Sequence, residues 1–560
     1  MNVMNYELIA ELLYPNITQT PEEVAKHFPA RNLPEGAKVT RLAPSPTGFM
    51  HFGTLFPALV NERLAHQSGG VFFLRIEDTD AKREVKGAEK DLIDTLAYYH
   101  INFDEGAVSE GDKGIYGPYR QSKRAYIYQV FAKSLIRQGL AYPSFTSEEE
   151  YEQLKEADKK AEIKSKEWTP EEMERARLEK LAARNISEEE IRENLEKGNP
   201  FVIRILANGD PEKKTPFVDL VRGKLEIPEN DEDFVLLKSD GIPTYHFAHA
   251  VDDYLMGTTH VIRGEEWLPS LAKHIMLFRY LGLKLPKYLH ISQLMKMDGT
   301  SKKKLSKRDK GAALSDYKAD GYPAESVIEY VMTLLNSNYE DWRRANPTAD
   351  YSEFPFSIKK MSVSGSLFDF DKLNDVSKNV IATMSADAVY DSVTVWAKEY
   401  DPELYTALSA NPEYAKSIFA IGRGGKKPRK DFATWRDVKP YLSFFYDDLF
   451  VAQDEIPESF AKEDIKKALD LFMLMFDIKD DNQAWFDVIK KIADLIGYAS
   501  DMKAYKQNPE QFKGSVADVS MFLRVAVTGR TNSPDLYAVM QILGYEKTVN
   551  RIHKAIMKYV

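Results

Sequence analysis

The 560-residue chain contains no cysteine. That absence excludes disulfides, thiolate zinc sites and cysteine nucleophiles, and it fits a reducing compartment such as the cytoplasm. Long apolar runs are missing too: no stretch approaches the ~20 apolar residues needed to cross a bilayer. The first residues, MNVMNYELIAELLYPN, carry acidic side chains early and no basic flank before an apolar run. They match neither a secretory signal nor an Arg-rich transit peptide. The sequon Asn16-Ile17-Thr18 has no meaning without secretion. A basic excess is also lacking. With a formal net charge of −10, any phosphate-binding face must be local rather than a property of the whole surface. No internal repeat or low-complexity tract is visible.

What remains is globular. Hydrophobic content of 43% with 12% aromatic residues supports a large core, and the length suggests roughly three to four domains. Residues 1–37 read as a short helical prelude ending in the punctuated loop FPARNLPEG. From Lys38 the pattern is α/β: KVTRLA as a buried strand, PSPTG as a tight loop, 53–67 as a helix closed by Gly69-Gly70, and VFFLRIE as a second strand. That βαβ order predicts parallel strands. Residues 147–197 are dominated by Glu, Lys and Arg at helical spacing and read as a solvated helical insertion. FVIRIL, TPFVDLVRGKLEI and DFVLLKSDGIPTYHFAHAV then read as strand-like, with α/β order resuming through THVIRGEEW and YLHISQLM. Beyond about residue 320 helical patterns take over, as in AESVIEYVMTLLN and AWFDVIKKIADLIGYA.

Ligands of open parallel sheets bind beyond the carboxyl ends of the strands. Arg41 and Ala43 fall at that end of the first strand, Glu77 at that of the second, and Arg263 ends the run His260-Val261-Ile262. Two arginines and a carboxylate on one rim complement a zwitterionic acid. His51 and Gly53 stand at a helix entrance, where free N–H groups suit phosphate. Taken alone, His-x-Gly is most simply a helix cap. The basic run Ser301–Lys310 follows the turn signal Asp298-Gly299 and, taken alone, reads as a solvated surface; lysines on such a loop can also clamp a polyphosphate.

Together the two clusters resemble the paired signatures of class I aminoacyl-tRNA synthetases. RLAPSPTG, GGVFFLRIEDTD, PTYHFAHAVDDYLMGTTHVIRGEEW and KLSKRDKGA, in that order, resemble the glutamyl-tRNA synthetases of the bacterial type, and LRVAVTGRTNSPDLYAVMQILG resembles their helical anticodon-binding region. The resemblance spans about residues 38–560. It implies a Rossmann-like α/β catalytic domain over 38–330, with a connective insertion that binds the tRNA acceptor end at about 140–240. A stem-contact region over 331–390 and an all-α anticodon-binding domain over 391–560 follow, with residues 1–37 as a helical extension.

By the same resemblance, Arg41, Ala43, Ser45, Glu77, Tyr245, His249 and Arg263 line the glutamate pocket. Glu77 holds the amino group and Arg263 a carboxylate. His51, Gly53, Glu266, Trp267, Lys304 and Lys307 serve ATP, with His51, Gly53, Lys304 and Lys307 as the catalytic set. The first signature departs at Thr54, where a final His is usual, and His249 stands where Asn is frequent. AYPSFTSEEE lacks the cysteines that some members use for zinc, so no zinc is expected. Expected partners are ATP, Mg²⁺, L-glutamate and tRNA(Glu), with tRNA(Gln) left open; no membrane contact and a monomer are expected. Arg423, Lys426, Lys427, Arg429 and Lys430, in IGRGGKKPRK, are candidates for tRNA phosphate contact. Alternatives are a glutaminyl enzyme, which would resemble FDDTN where this chain has IEDTD, a shorter tRNA-modifying paralogue, a smaller class I nucleotidyltransferase, and a catalytically silent tRNA-binding paralogue.

Overall fold

The computed structural model describes residues 4–48, 50–80, 82–146, 169, 184, 186–305, 313–425 and 427–558. The chain divides into two compact units, one of residues 1–315 and 331–368, the other of 316–330 and 369–560.

The first unit is built on short buried strands. β1 (Val39–Leu42) and β2 (Val71–Leu74) pair in parallel, with Val39 opposite Val71 and Leu42 opposite Leu74. β3 (Glu105–Ala107) continues the parallel order, and β4 (Asp112–Lys113) closes it antiparallel. The connection from β1 to β2 is the helix Phe52–Gln67, which ends at Ser68 before Gly69, whose φ of +68° turns the chain back. β2 is shorter than VFFLRIE suggested: Arg75 N still donates to Leu42 O at 3.0 Å, but the backbone N–H groups of Ile76 and Glu77 bond to Tyr119 O and Pro44 O instead. Glu77 therefore sits on a loop beyond the strand.

The small antiparallel sheet of β5 (Ala141–Ser144), β6 (Val202–Ile205) and β9 (Val235–Leu237) lies in the expected insertion, as does the hairpin of β7 (Lys214–Asp219) and β8 (Gly223–Pro228). The expected helical stretch 147–197 lies largely outside the described residues, apart from the capped helix Glu188–Glu196. Tyr245–Leu255 is a helix and not the continuation of a strand, a correction of the expectation for YHFAHAV. Its buried Phe247, Ala248, Val251 and Leu255 recur at helical spacing, and the bend Gly241-Ile242-Pro243 ends the strand before it.

β10 (His260–Gly264) pairs in parallel with β11 (Lys287–Ile291), and Thr259 N donates to Val39 O at 3.0 Å. β1 thus stands between β2-β3 on one side and the separate β10-β11 pair on the other, so that the order reverses its growth beside β1. Such a switch point opens a crevice at the strand ends. β12 (Leu294–Asp298) and β13 (Ser301–Lys304) form a hairpin, with β14 (Ser366–Leu367) parallel to β12. Lys302, Lys303 and Lys304 are therefore on a strand, not on a loop.

Residues 1–37 contribute the helices Tyr6–Leu13 and Pro21–Ala25, whose Ile9, Leu13 and Val24 join the core around Tyr128, Phe131 and Leu135. Lys133 is buried and anchors this segment by donating to the carbonyls of Tyr14 (2.8 Å) and Ile17 (2.6 Å).

The second unit is almost wholly helical, its core drawn from helices such as Ala386–Tyr400, Lys462–Met475, Asn482–Ile496, Val516–Thr528 and Leu536–Ile556. Asp or Ser at the amino ends (Ser385, Asp481, Asp535) and left-handed Gly497 and Gly529 at the carboxyl ends set their lengths. The boundary expected at 330/331 falls inside the helix Ala324–Leu335.

Candidate active site

The strand ends of β1 and β10 deliver Arg41 and Arg263 to one buried cluster. Arg41 donates from Nε and Nη2 to the Asp253 carboxylate at 3.0 to 3.2 Å. Arg75, wholly buried, donates to Asp253 at 2.7 Å from Nη1 and to Glu77 Oε1 at 3.1 Å from Nη2. Neither Asp253 nor Arg75 was among the expected site residues, although their signals are legible: a charge inside the apolar run VFFLRI, and adjacent acids on the apolar face of AHAVDDYL. Burial works to raise the Asp253 pKa, but the guanidiniums of Arg41 and Arg75 and the His249 imidazole outweigh it and hold the carboxyl well below the usual range. Glu77 goes the other way. Burial pushes it up, against the pull of Arg75 and Arg41.

Tyr245, at the first turn of its helix, lies within electrostatic reach of Arg263, Glu77 and Arg41. The Trp267 ring packs over Tyr245 at 4.3 Å between centroids. Arg263 is 6% exposed, rests 4.8 Å from the centre of the Tyr288 ring, and donates to His290 and His274. Arg41, Glu77, Tyr245 and Arg263 are therefore brought together. Ala43 is half-buried and Ser45 exposed, just beyond β1. His249, expected to touch the substrate, has both ring nitrogens engaged within the protein, with Asp253 (2.7 Å) and the Tyr288 hydroxyl (2.8 Å). It is fully buried, which pushes its pKa down to about 4. Its ring frames Tyr245 in a near-parallel stack, and it is not a free polar contact.

Beside this cluster a cavity of about 460 Å³ is lined by His51, Gly53, Gly264, Glu266, Gln293 and Lys304, among others. His51 is the N-cap residue of the helix Phe52–Gln67. A Cβ on Gly53 would come within 2.9 Å of the His51 ring, so glycine lets that ring lie against the helix entrance. Glu266 accepts from Gln293 Nε2 at 3.1 Å. Trp267, expected at the nucleotide, packs over Tyr245. Lys307 lies outside the described residues. The residues flanking its segment are both held at the cavity: Leu305 is part of the wall, and Ala313 pairs with His51.

In the second unit, Arg423 donates to the carbonyls of Phe419 (2.7 Å) and Met384 (3.3 Å), and Arg429 grips Asp431 through Nε and Nη2. Both arginines are committed to the fold, whereas Lys427 and Lys430 are exposed. Lys426 lies outside the described residues.

A crevice at a sheet's switch point, with buried charges for a zwitterion and a phosphate-suited helix entrance alongside, is the arrangement of a class I synthetase. The family model for class I tRNA synthetases (E and Q), catalytic domain, matches residues 38–375, and that for an anticodon binding domain matches 427–556. A glutamate–tRNA ligase of Clostridium perfringens (strain 13 / Type A) is 49% identical over 555 residues, 98% of this chain and 100% of its own. One of Clostridium beijerinckii is 50% identical over 558 residues, 98% of this chain and 99% of its own. The crystal structure of a glutamate tRNA ligase from Elizabethkingia meningosepticum, solved in complex with its amino acid, superposes with a TM-score of 0.70 at 28% identity, covering 93% of this chain and 100% of that one. The chain belongs to the glutamate–tRNA ligase family of class I aminoacyl-tRNA synthetases.

The raised Glu77 pKa has a consequence for binding. In the role expected of Glu77, a substrate ammonium would favour the ionised carboxyl, so binding at low pH would have to expel a proton from it. Affinity is full above the raised pKa and is lost below it, by about tenfold per pH unit. The apparent kcat/KM for glutamate is expected to fall on acidification at higher pH than an ordinary glutamate side chain would dictate, while the KM for ATP holds. A flat glutamate profile down through the normal carboxylate range would contradict this role.

Proposed function

We propose that this enzyme activates L-glutamate with Mg²⁺–ATP and transfers it to the 3′-terminal ribose of tRNA(Glu). The observation that carries the proposal is the gathering of Glu77, for an ammonium, with Arg263 and Arg41, for carboxylates, around Tyr245 next to the His51–Gly53 helix entrance. In the first step a glutamate carboxylate oxygen attacks the α-phosphorus of ATP and pyrophosphate leaves. The amide groups at the helix entrance, His51 and the lysines Lys304 and Lys307 stabilise the charge that builds on the phosphates. Mg²⁺ arrives with the nucleotide, since it binds through phosphate oxygens and water. In the second step the ribose 2′-hydroxyl attacks the acyl carbon of the adenylate and AMP leaves. No side chain forms a covalent intermediate.

Pyrophosphate exchange tests this directly. Exchange is expected with glutamate, not with glutamine, and only when tRNA is bound. Exchange that required glutamine would move the chain to the glutaminyl branch, and none with either would favour a silent paralogue. Charging purified tRNA(Glu) and tRNA(Gln) in parallel decides the tRNA range. The reading includes a cytoplasmic enzyme, with which a cysteine-free chain is compatible, acting as a monomer.

For the tRNA surface, Lys427 and Lys430 are the phosphate contacts that Arg423 and Arg429 cannot be while bound into the fold. Replacing both lysines with Gln should flatten the slope of log affinity against log salt by about one to two. Arg423→Ala should instead lower the stability of the helical unit, because it strips a cation from buried carbonyls. An unchanged salt slope in the lysine double variant removes this loop from the interface.

A further inference from the structure

Arg263 is held in an unusual way. It makes no ion pair among the described residues; its partners are two imidazoles. Nε donates to His290 Nε2 at 2.9 Å, and Nη1 meets His274 Nδ1 at 3.0 Å. Arginine has donors only, so both facing ring nitrogens must be bare lone pairs, and each ring must carry its proton on the far side. The far sides are arranged for that. His290 Nδ1 faces Asp219 Oδ2 at 2.7 Å, and His274 Nε2 faces His246 Nδ1 at 3.0 Å. Asp219 is itself fixed, since its Oδ1 accepts from the backbone N–H groups of Val221 (2.9 Å) and Arg222 (2.8 Å) at the turn between β7 and β8. The row Asp219–His290–Arg263–His274–His246 has a single consistent direction of donation about the guanidinium.

We propose that His274 and His290 are positioning residues for glutamate recognition: as neutral acceptors locked in one tautomer each, they aim Arg263 and thereby set the preference for a carboxylate over an amide. This rests on the function proposed above. Acidic partners in place of the imidazoles would neutralise the guanidinium and weaken its pull on a substrate anion. Imidazoles fix its orientation and leave its charge for the ligand. Burial is the first cause that keeps all three rings uncharged: it pushes His274 well below the ordinary histidine value and His246 down to about 4, and it outweighs the upward pull of Asp219 on His290. Nη2 of Arg263 reaches the Trp267 carbonyl at 3.4 Å, and the guanidinium lies within electrostatic reach of the Tyr245 hydroxyl; a carboxylate oxygen competes for the first contact. Because Asp219 belongs to the insertion hairpin, the geometry of that hairpin enters amino-acid selection through its bonds to the ring and the backbone N–H of His290.

The test uses the full chain in tRNA-dependent pyrophosphate exchange, reading KM for glutamate, KM for ATP and the glutamate-to-glutamine ratio of kcat/KM. His274→Leu and His290→Leu remove the acceptors and are expected to raise the glutamate KM about tenfold or more, with the ATP KM essentially unmoved. His274→Asn and His290→Gln put an amide oxygen where the lone pair was and should recover most of the loss. Asp219→Asn keeps the volume and the Oδ1 turn contacts but places an N–H where Oδ2 accepts from both the ring Nδ1–H and the backbone N–H of His290, which turns the ring's other N–H toward Arg263. It should raise the glutamate KM even if the leucine variants do not fold. A glutamate KM unchanged in Asp219→Asn, or amide variants as impaired as folded leucine variants, overturns the proposal. Wild-type enzyme without glutamate-dependent exchange would sink the functional reading itself. Loss in Arg263→Ala with none in Asp219→Asn would sink only this inference.

Discussion

Arg263→Ala is expected to lower kcat/KM for glutamate by roughly 10³-fold or more, the loss typical of stranding a buried charge without its partner. Arg263 is 6% exposed, and the rings of Tyr288, His274 and His290 surround it. A carboxylate that entered this pocket without the guanidinium would give up its hydration and meet the neutral rings of Tyr288, His274 and His290 in its place. The same change should do little to ATP, whose candidate cavity is lined by Gly264 and Glu266 but not by Arg263. Glutamine makes the sharper measurement. Its amide needs no cation, so the variant should lose far less activity toward glutamine than toward glutamate, and the ratio of the two should move toward unity. The fold should lose only about 1–3 kcal/mol, the cost of leaving the acceptors on His274 and His290 unsatisfied. Exchange kinetics with both amino acids, beside a thermal melt, separate these effects. Unchanged glutamate kinetics would take Arg263 out of the site.

The parts of this molecule legible in the sequence are those with local signatures. The βαβ unit was readable because KVTRLA and VFFLRIE are apolar runs on either side of a capped helix, and Arg41, Glu77 and Arg263 because ligand groups gather at the carboxyl ends of such strands. The helix Tyr245–Leu255 reads as strand in the sequence because Tyr and Phe are strand formers, and only the spacing of its buried positions decides. What no local pattern discloses is pairing over long range. Arg41 and Arg75 find Asp253 across roughly two hundred residues, and Arg263 finds its acceptors in LAKHIMLF and YLHIS, where each histidine looks like an ordinary core residue. In the loop IGRGGKKPRK the five basic residues look alike in the sequence, yet the distant carbonyls of Ile381 and Met384 claim Arg423, and the neighbouring Asp431 claims Arg429.

Asp253→Ala should be the most destabilising single change in the site, costing about 3–5 kcal/mol, because it leaves buried guanidiniums without their counter-ion. The carboxylate accepts from Arg41, Arg75, His249 and Thr258 at once, and nothing of comparable charge can swing in. Asp252 is already spent on Arg124, Gln121 and Tyr128 and stands 3.9 Å from Arg75. The contribution of Asp253 also has a definite pH range. Its pKa is held below the unfolded-state value, so its stabilisation is complete above the ordinary carboxylate range and is lost only in strong acid. Glu77→Gln makes the instructive contrast. Glu77 is bound by a single 3.1 Å contact to Arg75, and burial already disfavours its charge, so losing that charge should barely move the unfolding transition while removing the proposed seat of the substrate ammonium. Urea unfolding of the two variants, followed by circular dichroism and paired with glutamate kinetics, should show opposite patterns: Asp253→Ala lost in the fold, Glu77→Gln lost in the ligand. Equal stability of both would mean that the guanidiniums of Arg41 and Arg75 reach water once Asp253 is gone. The cluster would then be a solvated pocket and not a rigid electrostatic frame built before the substrate arrives.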